Sequence, residues 1–264
     1  MERGTPDTPE DHDWDSHWSR FASASTLNPG QQMRHKAVLA EVARLATGVP
    51  DRIVDVGSGH GDMLERLREA FPPAALLGLE LSRSGVEMAR RKVPDATVIE
   101  ADLFQPPAKL DRYRGWGRIG VCSEVLEHVD DPVAFIAAAG RYFAPGSPVV
   151  VTVPGGPMSA FDRYIGHRQH FTREKIRAVL EQAGYSVDSV RLSGFPFFNA
   201  YRLTVILRGR RLAMDIAETS GNGPGRLAVL AMAVFRFLFR FNLGNSPFGW
   251  QVIAVARTRA GSGS

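Results

Sequence analysis

Five short apolar runs, each followed by a stretch with helical spacing, limit what this chain can fold into more than any other feature. They cover residues 53–56, 76–79, 97–99, 118–122 and 148–153, and Val, Ile and Leu dominate them. A strand that is apolar at successive positions is buried on both faces. Strands of that kind alternating with helices give a parallel sheet covered on both sides. The expected fold is therefore doubly wound α/β. A helix with Met33, Val38, Leu39, Val42 and Leu45 on one face precedes the first run, and Gly48 stops it.

Past Pro154 the pattern changes. Residues 172–183 read as an amphipathic helix with Thr172 as N-cap and Gly184 at its end. Residues 185–192 and 249–257 alternate as strands do, and between them lies an arginine-rich, aromatic insertion. The expected organisation has four parts. Residues 1–28 form an acidic tail and an N-terminal lid segment, and 29–192 form the core. Residues 193–246 form a helical cap, and 247–264 the last sheet strand with a flexible end.

The loop after the first run, Asp55-Val56-Gly57-Ser58-Gly59-His60-Gly61, joins a strand to a helix, which is the setting of a nucleotide-binding turn. Gly57 and Gly59 allow a sharp bend and a close backbone approach to a ligand. A dinucleotide fingerprint requires glycine at the position held here by Asp62. Its absence argues against tight seating of a pyrophosphate on the helix N-terminus, and Asp55, just before the loop, offers a carboxylate for hydrogen bonding that would repel phosphate. Glu80, at the end of the second run, suits the two hydroxyls of a ribose. Asp102, ending the third, suits an adenine amine, with Leu103 against the ring. These side chains fall in order at the carboxyl ends of successive strands, where the crevice of an open α/β sheet lies.

The stretches 53–64 and 99–103, Glu80, and Ser123-Glu124-Val125-Leu126-Glu127-His128-Val129-Asp130-Asp131-Pro132 together resemble class I S-adenosylmethionine-dependent methyltransferases. The nearest branch is that of the ubiquinone-pathway O-methyltransferases and other small-molecule methyltransferases. The resemblance covers residues 38–153 well and extends more loosely to 190. It implies a Rossmann-like seven-stranded sheet whose final strands form an antiparallel pair at the edge, and S-adenosyl-L-methionine as cofactor. It implies that Asp55, Gly57 and Gly59 meet the methionine part, Glu80 the ribose, and Asp102 and Leu103 the adenine. Glu124 and Val125 would lie near the sulfonium, and Ser58, Gly61 and Leu81 complete the set. Trp14, Trp18, Phe21, Asn28 and Pro29 would fold over the cofactor, with Arg34 on its carboxylate. The alternative is a helix packed on the sheet with Arg34 exposed.

Methyl transfer is an in-line displacement that depends on alignment and exclusion of water. A base is needed only for an acceptor that arrives protonated. His128, His167 and His170 are the candidate bases. Glu124, Glu127 and His128 stand at i, i+3 and i+4, so a helical turn would put them on one face. With His170 they would suit a divalent metal, although this spacing also serves simply to order a loop, and the preferred reading has no metal. Cys122, the sole cysteine, reads as a core residue. The expected acceptor is a small molecule methylated on oxygen. An RNA ribose and a non-catalytic cofactor-binding role are the rivals.

Net charge is +4, with the acidic residues of 2–15 set against ten arginines between 191 and 259. That surplus reads as a solvated basic face rather than a nucleic-acid site, since no basic-aromatic motif accompanies it. The apolar stretch 227–235 is too short to span a membrane, and Arg236 ends it; continued to Phe241 it makes a helix with very little polar face. Residues 226–243 read as a buried cap helix or a homodimer contact, or as a peripheral helix at a lipid surface. The first fifteen residues contain no apolar stretch, so the expected location is cytoplasmic.

Overall fold

A computed structural model describes residues 14, 15, 18, 28–46, 48–209 and 226–259. The tail 1–13, Phe21, the middle of the insertion and the residues from 260 onward lie outside the described part, and with them the disorder expected at both ends. Helix α1 (Pro29–Leu45) has Pro29 at its first position and Asn28 as N-cap, whose side chain accepts from the Gly30 and Gln31 N–H groups. The alternation then runs β1 (Arg52–Val56), α2 (Asp62–Ala70), β2 (Ala75–Glu80), α3 (Arg83–Lys92), β3 (Thr97–Glu100) and β4 (Ile119–Ser123). It continues through α4 (Pro132–Gly140), β5 (Pro148–Pro154), α5 (Ala160–Tyr164), α6 (Arg173–Gln182) and β6 (Tyr185–Ser193). The cap helices α7 (Phe197–Arg208) and α8 (Arg226–Leu238) precede β7 (Gln251–Thr258).

The seven strands form one sheet in the order β3-β2-β1-β4-β5-β7-β6. β1 to β5 are parallel, and β7 runs antiparallel between β5 and β6. The order reverses between β1 and β4, which opens a crevice at their carboxyl ends. The sheet is the expected one, with β7 and β6 as the antiparallel pair at its edge. Each face carries its own core. One packs Leu110, Ile136, Tyr142, Ile176 and Leu180 on the strands. The other packs Val38, Val42, Leu64, Leu67 and Val86. This two-sided burial is what the near-continuous apolar strands require.

The spacing argument fails at one point. Residues 124–128 are not a helical turn: Glu124 has φ +58 and stands outside a short 3₁₀ turn, Leu126–His128. A non-glycine residue in the left-handed region costs about 1–3 kcal/mol and persists only where its surroundings fix it.

Helices α2 and α3 meet at Gly61, whose φ is +88 and whose missing Cβ would lie 2.8 Å from the Ala89 Cα. Gly61→Ala should therefore lower unfolding free energy by about 1–3 kcal/mol in urea denaturation, whereas Gly146→Ala, where φ is +76 and an added Cβ would meet nothing within 4 Å, would show only the backbone part. Nearby, burial and then the Arg34 charge bring His35 down to about 4. The unfolded chain takes up this proton first as pH falls from the ordinary imidazole value, so the native state loses stability down to about pH 4. Urea melts of His35→Gln should show a shallower loss across that window than the parent chain.

Candidate active site

The crevice is lined by Gly57, Glu80, Leu81, Asp102, Leu103, Glu124, Val125 and His128, with Trp14 and Trp18 among the remaining walls. Its floor is the glycine loop, held by hydrogen bonds that leave little freedom. The Gly57 and Ser58 N–H groups donate to the Leu79 carbonyl at 2.8 and 3.1 Å. A Cβ on Gly57 would come within 2.4 Å of Val125 Cγ2, and its φ is +72. Only glycine lets the loop lie this close to the β4 end.

Glu80 is buried, and its carboxylate accepts the Gly59 N–H at 2.7 Å and the Ser82 N–H at 2.9 Å. Each oxygen keeps a lone pair for a second donor. Burial raises its pKa, while these backbone donors oppose the rise. Asp55 sits beneath the loop rather than among the crevice walls, fully buried, and its Oδ2 has no hydrogen-bond partner among the described residues. Burial first, and then the Glu80 charge, push it to about 7. Asp102 accepts the Phe104 N–H through Oδ1 at 2.9 Å. Leu103 is buried and Leu81 half exposed.

Asp62 opens α2 and bonds to His60 Nε2 at 3.0 Å, to Gln31 Nε2 at 3.0 Å and to the Lys92 ammonium. Burial would raise its pKa, but His60 and Lys92 hold it well below the usual carboxylate range. The carboxylate at the start of α2 is therefore tied up by partners of this chain, Lys92 among them.

Arg34 is neither exposed nor among the crevice walls. Its Nε lies 3.4 Å from Glu124 Oε2. Glu124 Oε1 accepts from Thr152 Oγ1 at 3.1 Å and Gln251 Nε2 at 2.9 Å, and its N–H donates to the Thr152 carbonyl at 2.9 Å. These contacts fix the strained residue at the mouth of the crevice. They also remove Glu124 from the metal set that its spacing suggested.

The three histidines come together. His128 lines the crevice, and its ring packs edge-on to His167 at 4.7 Å. His167 Nδ1 lies 3.2 Å from His170 Nε2. Burial and then the neighbouring His128 and His170 lower the His167 pKa, and burial lowers that of His170. Both rings are therefore neutral at pH 7. Trp14 packs edge-on to His128 at 4.8 Å.

Behind the histidines lies Asp162, buried in a capping box with Ser159. Arg202 of α7 donates to both its oxygens at 2.9 Å. Neither Arg202 nor Gln251 was among the residues expected at the site, and local spacing could not have found them, because their partners lie 40 and 127 residues away. Among the described residues two groups could hold a metal ion: Glu127 with His128 and His167, and Asp162 with His167 and His170. Asp162 is already saturated by Arg202 and Ser159. Glu127 is fully buried and neither oxygen has a hydrogen-bond partner among the described residues. Burial, and then Glu124, raise its pKa.

A family model described as a methyltransferase domain matches residues 31–190. The trans-aconitate 2-methyltransferase of Acidovorax sp. (strain JS42) is 29% identical over 146 residues, which is 54% of this chain and 50% of that protein. The enzyme of the same name from Afipia carboxidovorans is 26% identical over 60% of this chain and 61% of its own length. The chain thus spans about half the length of the first of these curated relatives. Among solved structures, a Haemonchus contortus phosphoethanolamine N-methyltransferase in complex with S-adenosyl-L-methionine superposes with TM-score 0.58 at 16% identity, covering 95% of this chain and 61% of that one. A sarcosine dimethylglycine methyltransferase from Galdieria sulphuraria gives 0.57 at 11%, covering 87% of each chain. None of these relatives carries a quinone-pathway name, so the finer branch suggested by the sequence finds no support in them. With its glycine-loop crevice and seven-stranded sheet, and with the family model spanning more than half of its length, this chain belongs to the methyltransferase-domain family.

Proposed function

We propose that the chain is an S-adenosyl-L-methionine-dependent methyltransferase that transfers a methyl group to an oxygen of a small molecule. One observation carries the cofactor assignment: Glu80, at the carboxyl end of β2, keeps acceptor capacity at the crevice wall, beside a glycine loop that carries no lysine or arginine side chain for a diphosphate. An uncharged ribose beside a sulfonium suits that distribution of charge. Asp102 and Leu103 then face the adenine, and Glu124 and Val125 the reacting end. Asp55, below the loop, acts on the methionine part through the loop backbone rather than from the crevice wall.

The acceptor enters beside His128. This ring would take the proton of a phenol or alcohol acceptor as the oxygen attacks the methyl carbon, and the sulfur leaves as a neutral thioether. A carboxylate acceptor, the type that the names of the curated relatives suggest, arrives ionised and needs no base. The buried, bare carboxylate of Glu127 favours a second reading, in which a divalent cation sits on Glu127, His128 and His167.

Calorimetric titration with S-adenosylhomocysteine should show micromolar-range binding, and NAD very weak binding. Glu80→Ala should weaken the former by about tenfold or more, as expected for loss of a charge-assisted hydrogen bond. Tight NAD binding would overturn the cofactor assignment. Transfer to a panel of phenols and carboxylates then separates the acceptor classes. His128→Asn should slow methylation of a phenol by about 10²–10⁴ and leave that of a carboxylate such as trans-aconitate near the parent rate. Equal loss on both would point to a role for His128 in positioning or metal binding. Calorimetry with Mg²⁺ or Mn²⁺ decides the latter, with Glu127→Gln as the control that should abolish any heat.

A further inference from the structure

We propose that the outer face of the cap helix α8 is a docking surface for an anionic lipid bilayer. The inward side packs on α7: the Phe235 ring of α8 and the Phe239 ring of the turn after it lie 5.3 and 5.8 Å from Tyr201, and Phe239 lies 5.9 Å from Phe198. What remains on the outside is apolar as well. Leu230, Val234 and Phe237 recur at i, i+4 and i+7 with 61, 48 and 56% of their surface exposed, and Phe241 in the following turn is 59% exposed. Among the described residues, nine of the thirteen exposed large hydrophobic side chains fall between 203 and 248. Four of these nine lie on α8 and the rest on α7 and in the turn and loop after α8, so the cap carries an apolar surface of the kind that marks an interaction site.

The charge beside that face selects the occupant. Arg236 on α8 and Arg240 in the turn that follows it are both exposed, and Arg240 lies 5.9 Å from the centre of the Phe237 ring. From residue 219 to the end the sequence has five arginines and no aspartate or glutamate. A two-fold contact with a second copy would set like charges against each other, because a symmetric interface pairs a patch with itself. Nucleic acid would use the arginines but leave the leucine, valine and phenylalanine side chains in water. A bilayer with anionic headgroups takes both, the arginines at the phosphates and the apolar side chains at the acyl boundary. No helix among the described residues is long and apolar enough to cross a membrane, so the contact is peripheral.

Co-sedimentation with vesicles tests this without any methyl acceptor, so it stands or falls apart from the catalytic reading. The full chain should bind vesicles of phosphatidylcholine mixed with phosphatidylglycerol at least roughly tenfold more tightly than phosphatidylcholine alone, and added salt should weaken the binding. Phe237→Glu with Phe241→Glu, and separately Arg236→Glu with Arg240→Glu, should each reduce binding by roughly tenfold or more. Unchanged S-adenosylhomocysteine titration would show that the variants remain folded. Absence of vesicle binding by the parent chain overturns the proposal. So does a dimer in analytical ultracentrifugation that the phenylalanine variant dissociates, with no lipid bound, which would make a second copy the occupant.

Discussion

The crevice depends on one carboxylate placed between two backbone segments. Glu80 accepts from Gly59 in the glycine loop and from Ser82 at the start of α3, joining the ends of β1 and β2 through a single buried side chain. A buried carboxylate with two good donors is tolerable, whereas one with none would not remain charged. Because both bonds come from main-chain N–H groups, the loop cannot shift without exposing Glu80 to an unpaired burial. The rigidity of the floor and the acceptor capacity of the wall thus have the same source.

The second constraint lies at the β4 end. Glu124, held in a left-handed conformation by Thr152, Gln251 and Arg34, draws β5, β7 and α1 onto the mouth of the crevice. Arg202 does the same for the cap by reaching Asp162 behind the histidines. The neutral His167 and His170 add no charge near the expected sulfonium, and His128 alone of the three lines the crevice.

Much of this was legible in the sequence because it rests on local pattern. The apolar runs place the strands, and the positions of Gly57, Glu80 and Asp102 at successive strand ends follow from the alternation alone. Asp62 was legible as a missing glycine, and the structure gives that absence its partners in His60, Gln31 and Lys92. Illegible were the features set by tertiary packing. The i, i+3, i+4 argument for Glu124, Glu127 and His128 assumed helical dihedrals that Glu124 does not have. Arg34 read as either cofactor-bound or exposed, and instead pairs with Glu124 across the fold. The burial of Asp55 and its unpartnered Oδ2 could not be read from its place before the loop. Gln251 and Arg202 carry no local signal, since each acts on a carboxylate brought near only by the completed sheet and cap.

The central claim is that an adenosine lies across the carboxyl ends of β1 to β4 with its ribose on Glu80. A crystal structure of the protein with S-adenosylhomocysteine tests it most directly. The account predicts both ribose hydroxyls about 2.6–3.0 Å from the Glu80 carboxylate, with the adenine against Leu103 and the thioether facing Glu124 and Val125. An adenosine bound elsewhere, with the glycine loop and Glu80 left to each other alone, would contradict it.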